Sequence, residues 1–149
     1  MINIKDYVKE RKILLSEKIL KSEKKPMLVI VQVGDNPASN SYVKGKLKDC
    51  EEVGLKALLE KLPTEISQEE FEEKIKDINN NKEVTGIIIQ LPLPGHLSVN
   101  LDLIDDKKDV DGFKITSKFV PCTPLGIINF LKNNNVEFAG KKCCCNWTK

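Results

Sequence analysis

The sequence has few of the residues that metal centres and disulfide frameworks require. Its 149 residues include one histidine, His96, and five cysteines, of which Cys50 and Cys122 stand alone and three are consecutive at 143–145. No Cys-x-x-Cys pair is present, although metal-binding tracts place their cysteine and histidine ligands at regular short intervals. We therefore expect no metal site.

The sequence also lacks long apolar runs and an excess of charge of one sign. No apolar stretch approaches the ~18 residues that indicate a membrane span, and the first residues do not resemble a signal peptide. The 24 basic residues are interspersed with 22 acidic ones, whereas a nucleic-acid surface needs clustered, unopposed lysine and arginine. We expect no membrane span, no nucleic-acid partner and a cytoplasmic location.

What the sequence does contain is an alternation of apolar strand and amphipathic helix patterns. Met27–Val33 and Gly86–Leu91 are nearly continuous apolar runs, typical of strands buried on both faces of a parallel sheet. Ser67 and Glu70 form a capping box that predicts a helix start. The pattern predicts helices over 4–20, 37–53, 67–78 and 97–105 and a further strand over 55–62. It also predicts an apolar helix over 125–131 that ends near 133–135. This order indicates a three-layer α/β/α domain with a mostly parallel sheet.

One stretch, Gly34–Lys46, combines turn chemistry with a pair of functional side chains. It follows the first apolar strand and opens a helix, on which Tyr42 and Lys46 are four residues apart and share a face. Ligands of such sheets bind beyond the carboxyl ends of the strands, and Gln90 closes another predicted strand at that edge. The alternative is a solvated lysine beside a half-buried tyrosine.

Four stretches, taken in order, resemble the bifunctional methylenetetrahydrofolate dehydrogenase/methenyltetrahydrofolate cyclohydrolase family. They are Gly34–Ser39 with Tyr42 and Lys46, Gln90–Pro94, Lys108–Phe113 and Pro121–Gly126. The resemblance implies tetrahydrofolate derivatives as substrates. A hydride passes from the methylene bridge to NADP (NAD in some members), and water then opens the methenyl product to formyl-tetrahydrofolate.

The resemblance also implies a role for each matching residue. Lys46 would polarise the folate nitrogens and move the proton as water attacks, Gln90 would hydrogen-bond Lys46, and Asp111 would hold the pterin. Tyr42 would stack its ring on the aminobenzoyl group of the substrate. An apolar lining of the pocket would come from Val43, Leu91 and Pro92.

Other interpretations of several of these residues remain open. Gln90 can be a strand-end polar residue, and Asp111 a turn former in Asp-Val-Asp-Gly. Cys50 and Cys122 are expected to be small packing residues, and His96 a surface or capping residue.

The resemblance divides the chain into a folate-binding catalytic domain, residues 1–120, and a second segment, residues 121–149. The second segment would be a bridging helix followed by the aborted first strand of a Rossmann NAD(P)-binding domain. The loop after Gly112 is shorter than is usual in the family, which leaves its contacts with the active site open. We expect Ile127, Ile128, Phe130 and Leu131 of the helix to be exposed.

The last residues depart from the family, which continues with a valine-rich strand and Gly-Arg-Ser-Asn. The genetic code allows the codons TGT TGT TGT AAT TGG ACG AAG TAA T for the terminal Cys-Cys-Cys-Asn-Trp-Thr-Lys, a stop and one further base. Read one base later, they encode Val-Val-Val-Ile-Gly-Arg-Ser-Asn. We therefore expect the tail to be a frameshift product without cofactor-binding residues, which genomic DNA would test. The family homodimer, which depends largely on the nucleotide domain, is not carried over to this chain. We expect at most weak cyclohydrolase activity from the chain, and the alternative is an inactive folate-binding fragment or a pseudogene product.

Overall fold

The computed structural model describes residues 3–138 and residue 140. The six helices and strands predicted between residues 4 and 91 are confirmed, with ends that differ by at most two residues. The elements in chain order are α1 (Ile4–Lys21), β1 (Met27–Val33), α2 (Pro37–Val53), β2 (Lys56–Leu62), α3 (Gln68–Asn80), β3 (Gly86–Ile89), a turn of 3-10 helix (Leu101–Leu103) and α4 (Cys122–Asn133).

The three strands form one parallel sheet in the order β2-β1-β3. Met27 of β1 lies opposite Lys56 of β2, and Leu28 of β1 lies opposite Gly86 of β3. The central strand is buried along nearly its whole length, as a strand covered on both faces requires. The predicted α/β fold with a parallel sheet is confirmed.

Helices cover both faces of the sheet and divide its core into two clusters. On one face, Phe71 and Ile75 of α3 pack against alternate residues of β1 and β3. On the other face, Val43 of α2 packs against Ile30 and Ile88, and α1 packs on α2. The predicted three-layer arrangement follows from this alternation of strand side chains.

Local signals at the helix ends are those that the sequence indicates. The Asn36 side chain accepts hydrogen bonds from the backbone N–H groups of Ala38 and Ser39 and so caps α2. Gly54 ends the same helix in the left-handed conformation, with φ of 74°. Ser67 and Glu70 form the predicted capping box of α3, in which each side chain accepts from the other residue's backbone N–H.

The helix predicted over 97–105 is wrong except for its single turn at Leu101–Leu103. The Ser98 N–H donates to the Gln68 side chain of α3 at 2.9 Å, which ties that residue to α3 instead of to a helix of its own. The Ile104 N–H then closes the short turn on the Leu101 carbonyl at 3.0 Å. Contacts with a distant element therefore override the local pattern here.

The predicted apolar helix over 125–131 is confirmed and begins three residues earlier, at Cys122. As expected, Ile127 and Ile128 are exposed. Phe130 and Leu131 are partly covered, and the Phe130 ring packs edge-to-face on Tyr7 of α1 with centroids 5.3 Å apart. The predicted strand after Gly140 lies outside the described residues. Among those described, no helix has the length and apolarity to cross a bilayer.

Candidate active site

The turn after β1 directs the chain away from the carboxyl edge of the sheet and into α2. The Gly34 N–H donates to the Leu62 carbonyl at 2.9 Å, which joins the end of β1 to the end of β2. Gly34 has φ of 75°, and a Cβ there would lie 2.9 Å from Oγ1 of Thr64. Glycine is therefore required at this position for both its conformation and its lack of a side chain.

Lys46 of α2 and Gln90, the residue after β3, meet at this edge. Lys46 Nζ donates a hydrogen bond to Gln90 Oε1 at 3.0 Å, across 44 positions of sequence. Gln90 is 9% exposed, and its Nε2 donates to the Leu91 carbonyl at 2.7 Å. Both ends of the amide are therefore engaged, so that the oxygen is presented to the ammonium group.

Asp111 lies in the loop after β3, close enough to Lys46 for their charges to interact. Burial raises the pKa of the Asp111 carboxyl above its ordinary value, the Lys46 ammonium opposes this rise, and the Asp109 carboxylate adds to it. A carboxylate whose ionised form is penalised by burial gains from a ligand that supplies N–H donors.

Asp111 borders a cavity of about 250 Å³. The other lining side chains are largely apolar and come from β3, the segment around the 3-10 turn and the loop, namely Ile87, Ile89, Leu91, Val99, Leu101, Ile104, Asp109 and Phe113. Apolar walls with carboxylates at one side suit a flat ring that carries hydrogen-bond donors.

The other predicted contact residues differ in their exposure. Tyr42 of α2 is 70% exposed, and Leu91 and Pro92 are exposed beside the end of β3, where Leu91 also borders the cavity. Val43, by contrast, is 2% exposed and belongs to the core under α2. It therefore supports the helix that carries Lys46 and does not line the cavity that Asp111 borders.

Two further residues, Cys122 and Ser39, have surroundings that the sequence interpretation did not indicate. Cys50 is buried as expected, whereas Cys122 is exposed as a residue although its thiol is partly removed from solvent. Its thiol donates to the Val110 carbonyl at 3.4 Å. Burial and Asp111 raise the pKa of this thiol while Lys46 lowers it, which places the sulfur near both groups.

Ser39 is 3% exposed, and its hydroxyl has no hydrogen-bond partner among the described residues. It is seven residues before Lys46 on the same helix. His96 Nε2 lies 3.0 Å from the Ile66 carbonyl at the surface, away from these groups.

Comparison with known proteins gives the family. A sequence model described as tetrahydrofolate dehydrogenase/cyclohydrolase, catalytic domain, matches residues 2–111. The chain belongs to this family. The matched range contains Lys46, Gln90 and Asp111, and Cys122 lies beyond it.

Relatives in this tetrahydrofolate dehydrogenase/cyclohydrolase family are similar over most of the chain. The bifunctional protein FolD of Agathobacter rectalis is 42% identical over 151 aligned positions, which cover 94% of this chain and 53% of the relative. Its counterpart from Nitratiruptor is 39% identical over 87% of this chain and 54% of that relative. The chain thus spans about half the length of the curated relatives it matches.

Solved structures agree with this relationship. The bifunctional FolD enzyme of Campylobacter jejuni has a TM-score of 0.80 at 41% identity, over 85% of this chain and 50% of that one. The Trypanosoma brucei methylenetetrahydrofolate dehydrogenase-cyclohydrolase, solved with NADP and an inhibitor, has a TM-score of 0.86 at 25% identity, over 95% and 54%.

Proposed function

We propose that this chain carries the folate-binding catalytic domain of a methylenetetrahydrofolate dehydrogenase/cyclohydrolase. The substrates are tetrahydrofolate derivatives: the methylene form is oxidised to the methenyl form, which is then hydrolysed to formyl-tetrahydrofolate. The observation that carries the proposal is the hydrogen bond of Lys46 to Gln90 beside the cavity that Asp111 borders.

Lys46 is proposed as the group that moves the proton in hydrolysis. Water adds to the electron-poor methenyl carbon and loses a proton, and the ring nitrogen that leaves that carbon must gain one. The Lys46 ammonium can supply the proton that the ring nitrogen gains and, once neutral, can recover one from the added water. Gln90 stays uncharged throughout, so that it holds Lys46 in place without competing for the proton.

Asp111 and the cavity beside it are proposed to bind the pterin. The aminopyrimidine edge of a pterin presents paired N–H donors, and a carboxylate accepts two such bonds side by side. The apolar walls, including Leu91 and Phe113, suit the faces of the ring. The exposed Tyr42 ring, four residues before Lys46 on α2, is proposed to stack on the aminobenzoyl group as it leaves the cavity.

NADP is proposed as the hydride acceptor, as in the Trypanosoma brucei relative that was solved with NADP. Bound NADP supplies the nicotinamide ring that takes the hydride. No strand within the described part of the chain leads into a Gly-x-Gly-x-x-Gly turn, the usual cradle for a dinucleotide. The residues assigned above therefore all serve the folate, and none is assigned to NADP.

The proposed function is tested by hydrolysis of methenyl-tetrahydrofolate, a step that needs no nucleotide. We expect the 149-residue chain to accelerate the loss of methenyl absorbance above the spontaneous rate. Lys46→Met removes the proton-transferring group and is expected to lower this rate roughly 100-fold or more. Lys44→Met changes an exposed lysine of the same helix and is expected to leave the rate within about twofold.

Equal losses in the two lysine variants would contradict the assignment of Lys46. A chain that binds tetrahydrofolate in calorimetry but hydrolyses nothing above the spontaneous rate would instead support the alternative, an inactive folate-binding protein. Absence of both binding and hydrolysis would contradict the folate site itself.

A further inference from the structure

The carboxylate of Asp109 holds the loop that follows it. Its Oδ1 accepts a hydrogen bond from the Phe113 N–H at 3.3 Å, and its Oδ2 accepts one from the Lys114 N–H at 2.9 Å. Asp109 is 2% exposed, and a buried carboxylate persists where polar partners replace its hydration. Both partners are backbone groups of the loop, so the side chain determines the path of the main chain.

The backbone of Asp109 is anchored as firmly as its side chain. Asp109 forms a parallel bridge with Ile87 of β3, while its carbonyl accepts from the Ser117 hydroxyl at 3.0 Å and from the Gly112 N–H at 3.2 Å. A single residue therefore connects the sheet to both ends of the turn.

Gly112 closes the same turn from the other side. Its φ is 69°, and a Cβ there would lie 2.7 Å from the Phe119 carbonyl oxygen and 2.9 Å from the Pro121 nitrogen. The returning segment thus packs directly on the backbone of Gly112. Asp111 lies between these two restrained residues, and the short loop that follows Gly112 has defined contacts.

Asp111 needs such restraint because its surroundings oppose its charge. It is half-buried, and the neighbouring Asp109 carboxylate repels it. The charged or titratable groups that face it are Lys46 from α2, Asp109 from its own loop and Cys122 from α4. A free side chain in this setting would gain by turning toward solvent, where its ionised form is hydrated.

We propose that Asp109 is the positioning residue of the folate site, whose carboxylate fixes the turn that presents Asp111 and Phe113 to the cavity. All three residues border that cavity. The inference rests on the proposed function, because it takes the cavity as the pterin site. Asp109 acts through the loop, whereas Asp111 contacts the substrate.

The test compares kinetic constants for methenyl-tetrahydrofolate hydrolysis by Asp109→Ala, Asp109→Asn and a control, Asp106→Asn. We expect Asp109→Ala to raise KM roughly tenfold or more, because it leaves the Phe113 and Lys114 N–H groups without their acceptor and frees the turn that presents Asp111. Its kcat is expected to stay within about threefold, because Lys46 and Gln90 belong to other segments. Asp109→Asn keeps one acceptor oxygen and is expected to raise KM by about three- to fivefold.

Asp106 belongs to the same loop, where it pairs with Lys114 and Thr116. It does not border the cavity, and its asparagine variant is expected to keep KM within about twofold. Circular dichroism establishes whether each variant folds. If Asp109→Ala does not fold, the KM of Asp109→Asn tests the positioning role by itself. A lower melting temperature with unchanged KM would mean that Asp109 is only structural and would overturn the inference.

The Lys46→Met variant separates a failure of the proposed folate site from a failure of the positioning role of Asp109. A wild-type chain that hydrolyses the substrate through Lys46, with KM unaffected in both Asp109 variants, overturns the positioning role alone. A wild-type chain without hydrolysis or tetrahydrofolate binding overturns the folate site and the positioning role together.

Discussion

At the scale of single residues, two aspartates of one loop have opposite electrostatic surroundings. Asp106 forms an ion pair with Lys114 at 2.7 Å, and hydrogen bonds from Lys114 and Thr116 hold the pKa of its carboxyl below the ordinary value. Asp111, five residues later, has its pKa raised by burial. The first carboxylate is therefore stabilised in its ionised form by folding, and the second is destabilised.

These opposite shifts predict opposite effects of Asp→Asn substitutions on stability. Asp111→Asn is expected to raise the free energy of unfolding at pH 7, by less than about 1 kcal/mol once solvent screening is allowed for. The gain fades as the pH falls through the raised pKa of Asp111 and is gone below its ordinary value of 3.8. The Asp111 carboxylate, which is proposed to bind substrate, would thus lower the free energy of unfolding at neutral pH.

Asp106→Asn is expected to lower the free energy of unfolding at neutral pH, where the ionised Asp106 is paired. This loss disappears as the pH falls from 3.8 through the lowered pKa of Asp106. Urea unfolding of both variants and the wild type between pH 3 and 8 measures the two trends. Changes of the same sign in both variants would contradict the opposite surroundings of the two carboxylates.

Some single residues could be predicted from the sequence and others could not, for a geometric reason. Lys46 and Gln90 each follow a strand of recognisable pattern, so parallel pairing alone brings them to one edge. The family resemblance implied that Val43 lines the pocket beside Tyr42, but adjacent helical residues point about 100° apart and Val43 packs against the sheet. Asp109 and Asp111 are chemically alike, and only the backbone path shows which of them is buried.

At the scale of elements, the predictable features are those that depend on neighbours in sequence. The caps Asn36, Gly54 and Ser67 act within four residues of themselves, so the printed sequence contains all of their determinants. The 3-10 turn at Leu101–Leu103 is different, because Gln68 lies thirty positions before Ser98, the residue it binds. No local pattern around residue 100 could have indicated that contact.

The capping box of α3 gives a prediction at this scale. Ser67→Ala removes the hydroxyl that accepts from the Glu70 N–H at 3.2 Å, and we expect the free energy of unfolding to fall by about 1 kcal/mol. Ser41→Ala, a serine inside α2 whose hydroxyl only bonds the carbonyl four residues earlier, is expected to change it by less than about 0.5 kcal/mol. Urea titrations compare the two variants, and equal effects would show that the cap contributes nothing.

At the scale of the whole molecule, α4 leaves apolar surface uncovered. None of its residues is buried, and Ile127 is 56% exposed and Ile128 41%. Helix α1 adds further exposed apolar residues, including Ile13 and Leu20. Exposed apolar side chains of this kind favour association between molecules.

We therefore expect the purified chain to self-associate as its concentration rises. The double substitution Ile127→Lys with Ile128→Lys is expected to shift the average mass at a given concentration toward that of the monomer, because it replaces exposed apolar surface with charge. Size-exclusion chromatography with light scattering measures the mass. Asn129→Lys adds charge at an exposed polar position of the same helix, and an equal effect of this control would attribute the change to charge alone.

The separation of Lys46 and Gln90 by 44 positions has a consequence for how the protein is made. A chain leaving the ribosome has completed α2 long before Gln90 and Asp111 emerge, so no folate site exists until the last strand has joined the sheet. If the proposed function is right, folate binds only the completed domain. Its binding then shifts the folding equilibrium toward the folded state by mass action. The amount of intact protein in a cell is then expected to rise with its folate supply.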